Sequence, residues 1–245
     1  MPRPDPDQLA TMTAVITGAA SGIGRALAEA LHARGARLVL ADIDADAVTE
    51  TADRLDARHV VADVADPVAM DELAAQVPDA RLVCLNAGIL GRSLGAPWEV
   101  SPDDWERVFA VNVGGVVNGL RAFVPALLAR GEPAQVLITA SLAGLGVFPG
   151  GGAYGPSKHA VTAIAQQAAL LLADTPVRVQ MICPSWVATG MSTQGIDPAC
   201  VAQQALQALD EGTFAVIPDE WKPALAAQCD RIISGQWPAP PVPRV

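Results

Sequence analysis

Tyrosine occurs once in the 245 residues, lysine twice, and aromatic side chains together make up only 4% of the chain. Cysteine is also sparse. Cys84, Cys183, Cys200 and Cys229 are scattered and form no C-x-x-C pair. That excludes a disulfide framework and a zinc knuckle, and no metal site is expected. Three of the four sit in apolar or helical surroundings that predict buried, inert thiols. Basic residues are outnumbered, 16 Lys+Arg against 26 Asp+Glu, for a formal charge of −10. A binder of phosphate backbones carries the opposite balance, so no nucleic-acid partner is expected. A polybasic membrane patch is missing too. No run of about 18 uncharged apolar residues is present, so no membrane partner is expected. The segment Met1-Pro2-Arg3-Pro4-Asp5-Pro6-Asp7 lacks the apolar stretch of a secretory leader. The expected location is cytoplasmic.

What remains is a chain rich in small and aliphatic residues, 51% hydrophobic and 17% charged, with 21 Gly and 20 Pro. Disorder of the whole chain is excluded. The length suits one large α/β domain. Residues 1–10, with three prolines, read as a disordered tail, and 238–245, with four, read as an extended Pro-rich tail. Residues 11–237 read as one domain. Within it, near-continuous runs of Val, Ile, Leu and Ala fall at 14–17, 37–42, 59–63, 81–86, 135–141, 177–184 and 214–218. Strands buried on both faces of a parallel sheet look like this. Helical patterns lie between them. One is led by Ser21 and repeats Ile23, Leu27 and Leu31; another starts at Ser101-Pro102; a third runs from Tyr154 to about Asp174. The expected fold is α/β, a doubly wound parallel sheet of about seven strands in a single domain.

The first strand runs into Thr17-Gly18-Ala19-Ala20-Ser21-Gly22-Ile23-Gly24. Gly18 permits a tight turn, Gly22 lets a pyrophosphate approach the backbone, and Gly24 lets helix and strand pack closely. The helix N-terminus offers free N–H groups and its positive dipole end to the anion. Asp42 closes the second strand, 18 residues beyond Gly24. A carboxylate there accepts hydrogen bonds from both adenosine ribose hydroxyls and disfavours a 2′-phosphate. Neither the glycine turn nor Ile43 offers a cation to hold such a phosphate, so NAD is favoured over NADP.

The sole tyrosine, Tyr154, lies four residues before Lys158, one of the two lysines. That spacing puts both on one helix face. A free phenol, with a pKa of about 10, is a poor base at neutral pH, and a nearby ammonium is expected to lower it. Ser141 closes the fifth strand, at the sheet edge where ligands of doubly wound folds sit.

In these residues the chain resembles the short-chain dehydrogenases/reductases, in their compact single-domain branch with a Rossmann-type sheet. The resemblance runs from about Ala14 to Pro218. The family's T-G-x-x-x-G-x-G matches Thr17 to Gly24, its Tyr-x-x-x-Lys matches Tyr154 and Lys158, and its serine and asparagine match Ser141 and Asn112. Its adenine-side Asp-Val matches Asp63-Val64, its N-A-G matches Asn86-Ala87-Gly88, and its nicotinamide-side loop matches Pro184, Val187 and Thr189. The implied catalytic set is Asn112, Ser141, Tyr154 and Lys158. The implied cofactor set is Gly18, Ser21, Gly22, Ile23, Gly24, Asp42, Ile43, Asp63, Val64, Asn86, Ala87, Gly88, Pro184, Val187 and Thr189, with Tyr154 and Lys158. The resemblance also implies a mechanism. Ser141 and Tyr154 bind a substrate hydroxyl, Tyr154 takes its proton as hydride passes to NAD, Lys158 lowers the tyrosine pKa and holds the nicotinamide ribose, and Asn112 supports a water chain.

Leu85 stands where a second Asn is frequent in the family, Ser185 where Gly often follows the proline, and the substrate-covering stretch 190–213 is short. The candidate pocket loops 89–97, 142–152 and 191–196 are small and apolar with little charge beyond Arg92. They suit a lipophilic secondary alcohol or ketone. Trp221 and Trp237 are read as packing residues, with pocket closure or a subunit contact as the other uses. A non-catalytic NAD-binding sensor or scaffold on the same fold is the rival reading. Epimerisation or dehydration is a weaker one, because relatives with those activities carry a larger C-terminal part. The Tyr154 helix, with Ala160, Ala163, Ala165, Ala168 and Ala169, and the Asn112 helix, with Val113, Val116, Val117 and Leu120, hold more apolar surface than one sheet face covers. A homodimer or homotetramer pairing these helices is expected, with Ala168 or Ala169 at the contact.

Overall fold

Seven strands hydrogen-bond side by side, the central ones aliphatic and buried on both faces and the two edge strands more exposed. They are β1 (Thr13–Thr17), β2 (Arg37–Asp42), β3 (Arg58–Val61), β4 (Ala80–Leu85), β5 (Ala134–Thr139), β6 (Val177–Ile182) and β7 (Ala215–Val216). All pairings are parallel, in the order β3-β2-β1-β4-β5-β6-β7. The structure, a computed structural model, describes residues 12–190 and 194–243. The expected tail 1–10, residues 191–193 of the third pocket loop and the last two residues lie outside that range.

Alternation along each strand sends side chains to two cores. Ala14, Ile16, Leu38, Leu40, Leu82, Cys84 and Leu137 meet α1 (Gly22–Ala33), α2 (Ala45–Arg54) and α7 (Pro198–Glu211) through Leu27, Leu31, Val48, Leu206 and Leu209. Val15, Val39, Val83, Leu85, Val136, Ile138 and Met181 meet α3 (Pro67–Ala75), α5 (Gly115–Arg130) and α6 (Tyr154–Leu171) through Met70, Leu73, Val116, Phe123, Leu127 and Val161. The result is a three-layer α/β/α domain, as the pattern of runs predicts. Two further helices, α4 (Pro102–Phe109) and α8 (Lys222–Ile233), lie outside those layers. Ser101 caps α4, its side chain accepting from the Asp104 N–H at 3.3 Å, with Pro102 at the first helical position.

The differences from expectation are local. β4, β5 and β6 stop at Leu85, Thr139 and Ile182. The expected runs carried on through Asn86, Ser141 and Pro184, which instead follow the strands at the carboxyl edge. Helix α6 ends at Leu171, short of Asp174. Between α4 and α5 the helix widens into a π turn, Ala110–Gly114, around Asn112. The helical stretch Pro102–Arg130 holds, among the described residues, an 18-residue window apolar enough to cross a membrane by length and composition, with mean hydropathy 1.4. Arg107 and Arg121 keep the stretch from being an uncharged apolar run. Val116, Phe123 and Leu127 in that stretch are buried against the sheet.

The chain leaves β1 toward β2 and β3, then returns to place β4 on the other side of β1. The crevice outside the carboxyl ends of β1 and β4 is therefore the switch point at which a doubly wound sheet binds ligands.

Candidate active site

The glycine turn opens on that crevice. Gly18 and Gly22 adopt φ of 66° and 53°, left-handed backbone that favours glycine. A Cβ on Gly18 would come 2.8 Å from Ala87 Cα, and one on Gly22 would come 3.0 Å from Thr189 Cγ2. A Cβ on Gly24 would overlap the Gly18 carbonyl. Three separate segments, after β1, β4 and β6, thus meet only because side chains are missing. Ser21 caps α1 in extended backbone with no side-chain bond to the helix, and the first turn holds no acid. Its N–H groups keep their capacity for an anion.

Asp42 is fixed beside the turn. Its Oδ2 accepts from the Ala20 N–H at 2.9 Å and its Oδ1 from the Asp44 N–H at 3.1 Å. Ile43 next to it is exposed. Beyond β3, Asp63 accepts from the Ala65 N–H at 2.9 Å. Val64 is buried against Gly115, and its carbonyl accepts from Asn118 Nδ2 at 2.9 Å. Asn86 turns inward. Its Nδ2 donates to the Thr17 carbonyl at 3.0 Å, and its Oδ1 accepts from the Thr139 hydroxyl at 3.0 Å. The Thr17 hydroxyl accepts from the Ala87 N–H at 3.2 Å. The Asn86 side chain therefore ties β1, β4 and β5 together rather than facing the crevice, which leaves Ala87 and Gly88 to line it. Pro184 and Val187 follow β6, and Val187 is buried and bridged to Ile196. The turn, an acid beside it and an uncapped helix start fit a nicotinamide dinucleotide.

Ser141, Tyr154, Lys158 and Asn112 come together across β5, α6 and the π turn. Ser141 Oγ accepts from the Ala143 N–H at 3.1 Å and lies close enough to the Tyr154 phenol to favour its ionised form. Lys158 is buried; its Nζ donates to the Thr139 carbonyl at 2.8 Å and lies 5.8 Å from the Tyr154 ring centroid. The same Nζ is 3.4 Å from where a Gly88 Cβ would stand. Asn112, fully buried, closes its amide on Ile89: Oδ1 accepts from the Ile89 N–H at 2.8 Å and Nδ2 donates to the Ile89 carbonyl at 2.9 Å. Nδ2 also donates to Ser157 Oγ at 3.0 Å, and Ser157 donates to the Tyr154 carbonyl at 2.7 Å.

The electrostatics correct one expectation. Burial pushes the Tyr154 phenol above its ordinary pKa, and the nearby Ser141 hydroxyl only partly opposes that. The net direction is therefore upward despite Lys158 at 5.8 Å from the ring centroid. The Lys158 ammonium is engaged with the Thr139 carbonyl, and burial pulls its own pKa down to about 8.

Several residues escaped the sequence reading. Ser157 carries no motif of its own, yet it links Asn112 to Tyr154. Asp104, 4% exposed, accepts from the Arg92 and Ser93 N–H groups at 2.9 to 3.0 Å and so holds the 89–97 loop. Those bonds keep its carboxyl below the usual pKa. Gly95 bridges to Gly151, joining that loop to the one before Tyr154. Trp221 packs edge-on against Phe148, centroids 5.6 Å apart, whereas Trp237 is 87% exposed and does not pack. Cys84 and Cys183 are buried, with thiols pushed up to about 12 by desolvation, but Cys200 and Cys229 are exposed. Two cysteines rather than three are thus buried, because α7 and α8 turn theirs outward.

Known proteins share this arrangement of sequence and fold. The short chain dehydrogenase family pattern matches residues 12–198. A 1-deoxy-11-beta-hydroxypentalenate dehydrogenase from Streptomyces avermitilis is 41% identical over 214 residues, covering 83% of this chain and 79% of that one. A 3beta-hydroxysteroid dehydrogenase 2 from Eggerthella lenta is 36% identical over 185 residues, covering 72% of this chain and 71% of that one. The crystal structure of a short chain dehydrogenase/reductase from Burkholderia phymatum in complex with NAD superposes with a TM-score of 0.90 at 30% identity, over 96% of this chain and 99% of that one.

Proposed function

The chain belongs to the short-chain dehydrogenase family, an oxidoreductase family of nicotinamide-dependent enzymes, and from that premise we propose that it is an NAD-dependent dehydrogenase interconverting a lipophilic secondary alcohol and its ketone. The observation that carries this reading is the convergence of Ser141, Tyr154 and Lys158 at the carboxyl edge of β5, next to the glycine turn.

The N–H groups at the start of α1 hold the pyrophosphate, and Gly18, Ser21, Gly22, Ile23 and Gly24 form its bed. Asp42 takes the adenosine ribose hydroxyls, with Ile43, Asp63 and Val64 on the adenine side. Ala87, Gly88, Pro184, Val187 and Thr189 flank the nicotinamide side, and Asn86 fixes the turn from behind. When bound, the dinucleotide supplies the hydride acceptor. Ser141 and Tyr154 bind the substrate hydroxyl, and Tyr154 accepts its proton at Oη. Lys158 orients the nicotinamide ribose and sits on the proton's way out. Asn112 keeps the Gly88–Ile89 backbone beside Lys158 by closing its amide on Ile89 and Ser157. The loops 89–97 and 142–152 present Ile89, Leu90, Leu94, Leu145, Val147 and Phe148, which suits an apolar carbon skeleton held by few polar contacts. Relatives named for a hydroxypentalenate and a hydroxysteroid support a hydroxy compound of that kind.

Cofactor choice tests the Asp42 assignment. NAD is expected to bind at least about tenfold tighter than NADP, or about 1.4 kcal/mol. Asp42→Ala should narrow the gap, as read by nucleotide titration of protein fluorescence. Equal affinity of the parent for both nucleotides would refute it.

We propose a homodimer or homotetramer as well, through the same two helices the sequence suggests but not through its two alanines. Ala168 and Ala169 are half-buried against the core, so an arginine there would test packing rather than assembly. Leu170 and Leu171 on α6 are 78% and 76% exposed, beside a shallow apolar concavity lined by Ala169, Leu172 and Phe214; Val117 and Leu128 are exposed on α5. Leu170→Arg or Val117→Arg is expected to lower the sedimentation coefficient of the parent assembly. A parent that sediments as a monomer at micromolar concentration would rule the assembly out.

A further inference from the structure

Helix α8 has one fully buried side chain, and it is a glutamine, Gln228, 6% exposed. An amphipathic helix ordinarily buries aliphatic residues, and a buried amide is tolerated only when its hydrogen bonds are made. Here they are. Gln228 Oε1 accepts from the Val147 N–H at 2.8 Å, Nε2 donates to the Val147 carbonyl at 3.1 Å, and Nε2 also donates to the Ala239 carbonyl at 3.0 Å. The side chain thus pairs with both backbone groups of Val147, as a neighbouring strand would, and ties down the Pro-rich tail with its remaining proton.

Val147 lies between Ser141 and Tyr154, in the segment that joins two of the proposed catalytic groups. Its neighbours are held by the same C-terminal segment. A Cβ on Gly146 would come 2.7 Å from Leu225 Cδ2 and 3.2 Å from Pro241 Cγ, so helix and tail both rest on that glycine. Phe148 meets the Trp221 ring at 5.6 Å. Three consecutive residues of the pocket loop are therefore gripped by residues 221–241. The tail, which the sequence alone marks as extended and Pro-rich, buries Pro241.

We propose that Gln228 is a positioning residue for substrate: it clasps the C-terminal segment onto residues 146–148 and so sets the wall of the pocket against which the apolar body of the alcohol rests. Gln228 reaches no reacting atom. It acts through Val147. The proposal rests on the dehydrogenase reading for its kinetic consequence, but not for its structural one.

The test uses the full chain with Gln228→Leu, which keeps the bulk and removes all three hydrogen bonds, and Gly146→Ala, whose Cβ crowds Leu225 and Pro241 and comes to 3.4 Å from Gln228 Oε1 while the glutamine itself is retained. Both variants are expected to exchange amide hydrogens in residues 145–148 at least tenfold faster than the parent, with the glycine-turn segment unchanged. Both should raise KM for a bulky alcohol about tenfold or more while kcat and the NADH dissociation constant shift less than about threefold. A general loss of stability would move all of these together. Folded variants with parental exchange at 145–148 and parental KM would overturn the proposal. If the parent turns over no alcohol, the dehydrogenase reading fails, and the exchange result alone still decides the clasp.

Discussion

Tyr154→Phe is expected to abolish alcohol oxidation, by about a thousandfold or more, while NADH binds within about twofold of the parent. The substitution removes the one oxygen that faces Ser141 and leaves the ring in place. It is also the only tyrosine, so no second phenol stands by to take its proton. Steady-state turnover and a fluorescence titration read the two effects separately. The pH dependence of the parent follows from the same group. Because burial holds the phenol above its ordinary 10.0, oxidation should keep accelerating as pH rises from about 7 to about 9. Substantial residual turnover in the variant would assign the proton transfer to another group.

Lys158→Met is expected to lower turnover about a hundredfold or more and to weaken cofactor binding, yet to change stability in an unusual direction. Lys158 is buried with its pKa pulled from 10.5 to about 8. Between those two values the unfolded chain holds more protons than the folded one, so stability attributable to this group rises with pH across that window. Below about 8 the folded protein carries the whole penalty of a buried charge, at most about 3 kcal/mol. Methionine removes that penalty but leaves the Thr139 carbonyl without its donor, a loss of about 1–3 kcal/mol. The sign to watch is therefore the trend of the difference between the two proteins. Measured by urea denaturation, the variant's stability relative to the parent should be flat below about pH 8 and fall from there to about pH 10.5. A difference independent of pH would mean that Lys158 is not desolvated as described.

The strands were readable because the central ones are near-continuous aliphatic runs, the mark of burial on both faces, whereas the edge strands β3 and β7 are exposed or half-buried and the strand order has no local signal. The glycine turn, Asp42 and the Tyr154–Lys158 pair were readable because their spacing along the chain matches their spacing in space. What stayed hidden depends on contacts between distant segments. Asn86 looks like a ligand contact in the sequence, and only the meeting of β1, β4 and β5 turns its amide inward. Lys158 sits one helical turn from Tyr154, which suggests a charge that lowers the phenol pKa. Desolvation of both groups reverses that sign, and desolvation leaves no trace in a local pattern. Gln228 is separated from Val147 by 81 residues, and a polar residue on an otherwise exposed helix gives no hint of burial. The π turn at Asn112 and the inward Asp104 belong to the same class, since each answers to a loop that passes over it.

One measurement reaches the central claim most directly: formation of reduced nicotinamide at 340 nm by the purified parent protein and by Tyr154→Phe, with NAD or NADP and a panel of neutral secondary alcohols, cyclic ones included. The account predicts NADH formation by the parent with at least one lipophilic alcohol, much less with NADP, and none above background with the variant. A parent that binds NADH tightly but reduces no NAD with any alcohol, and oxidises no NADH with the matching ketones, would contradict it and leave a nucleotide-binding scaffold in its place.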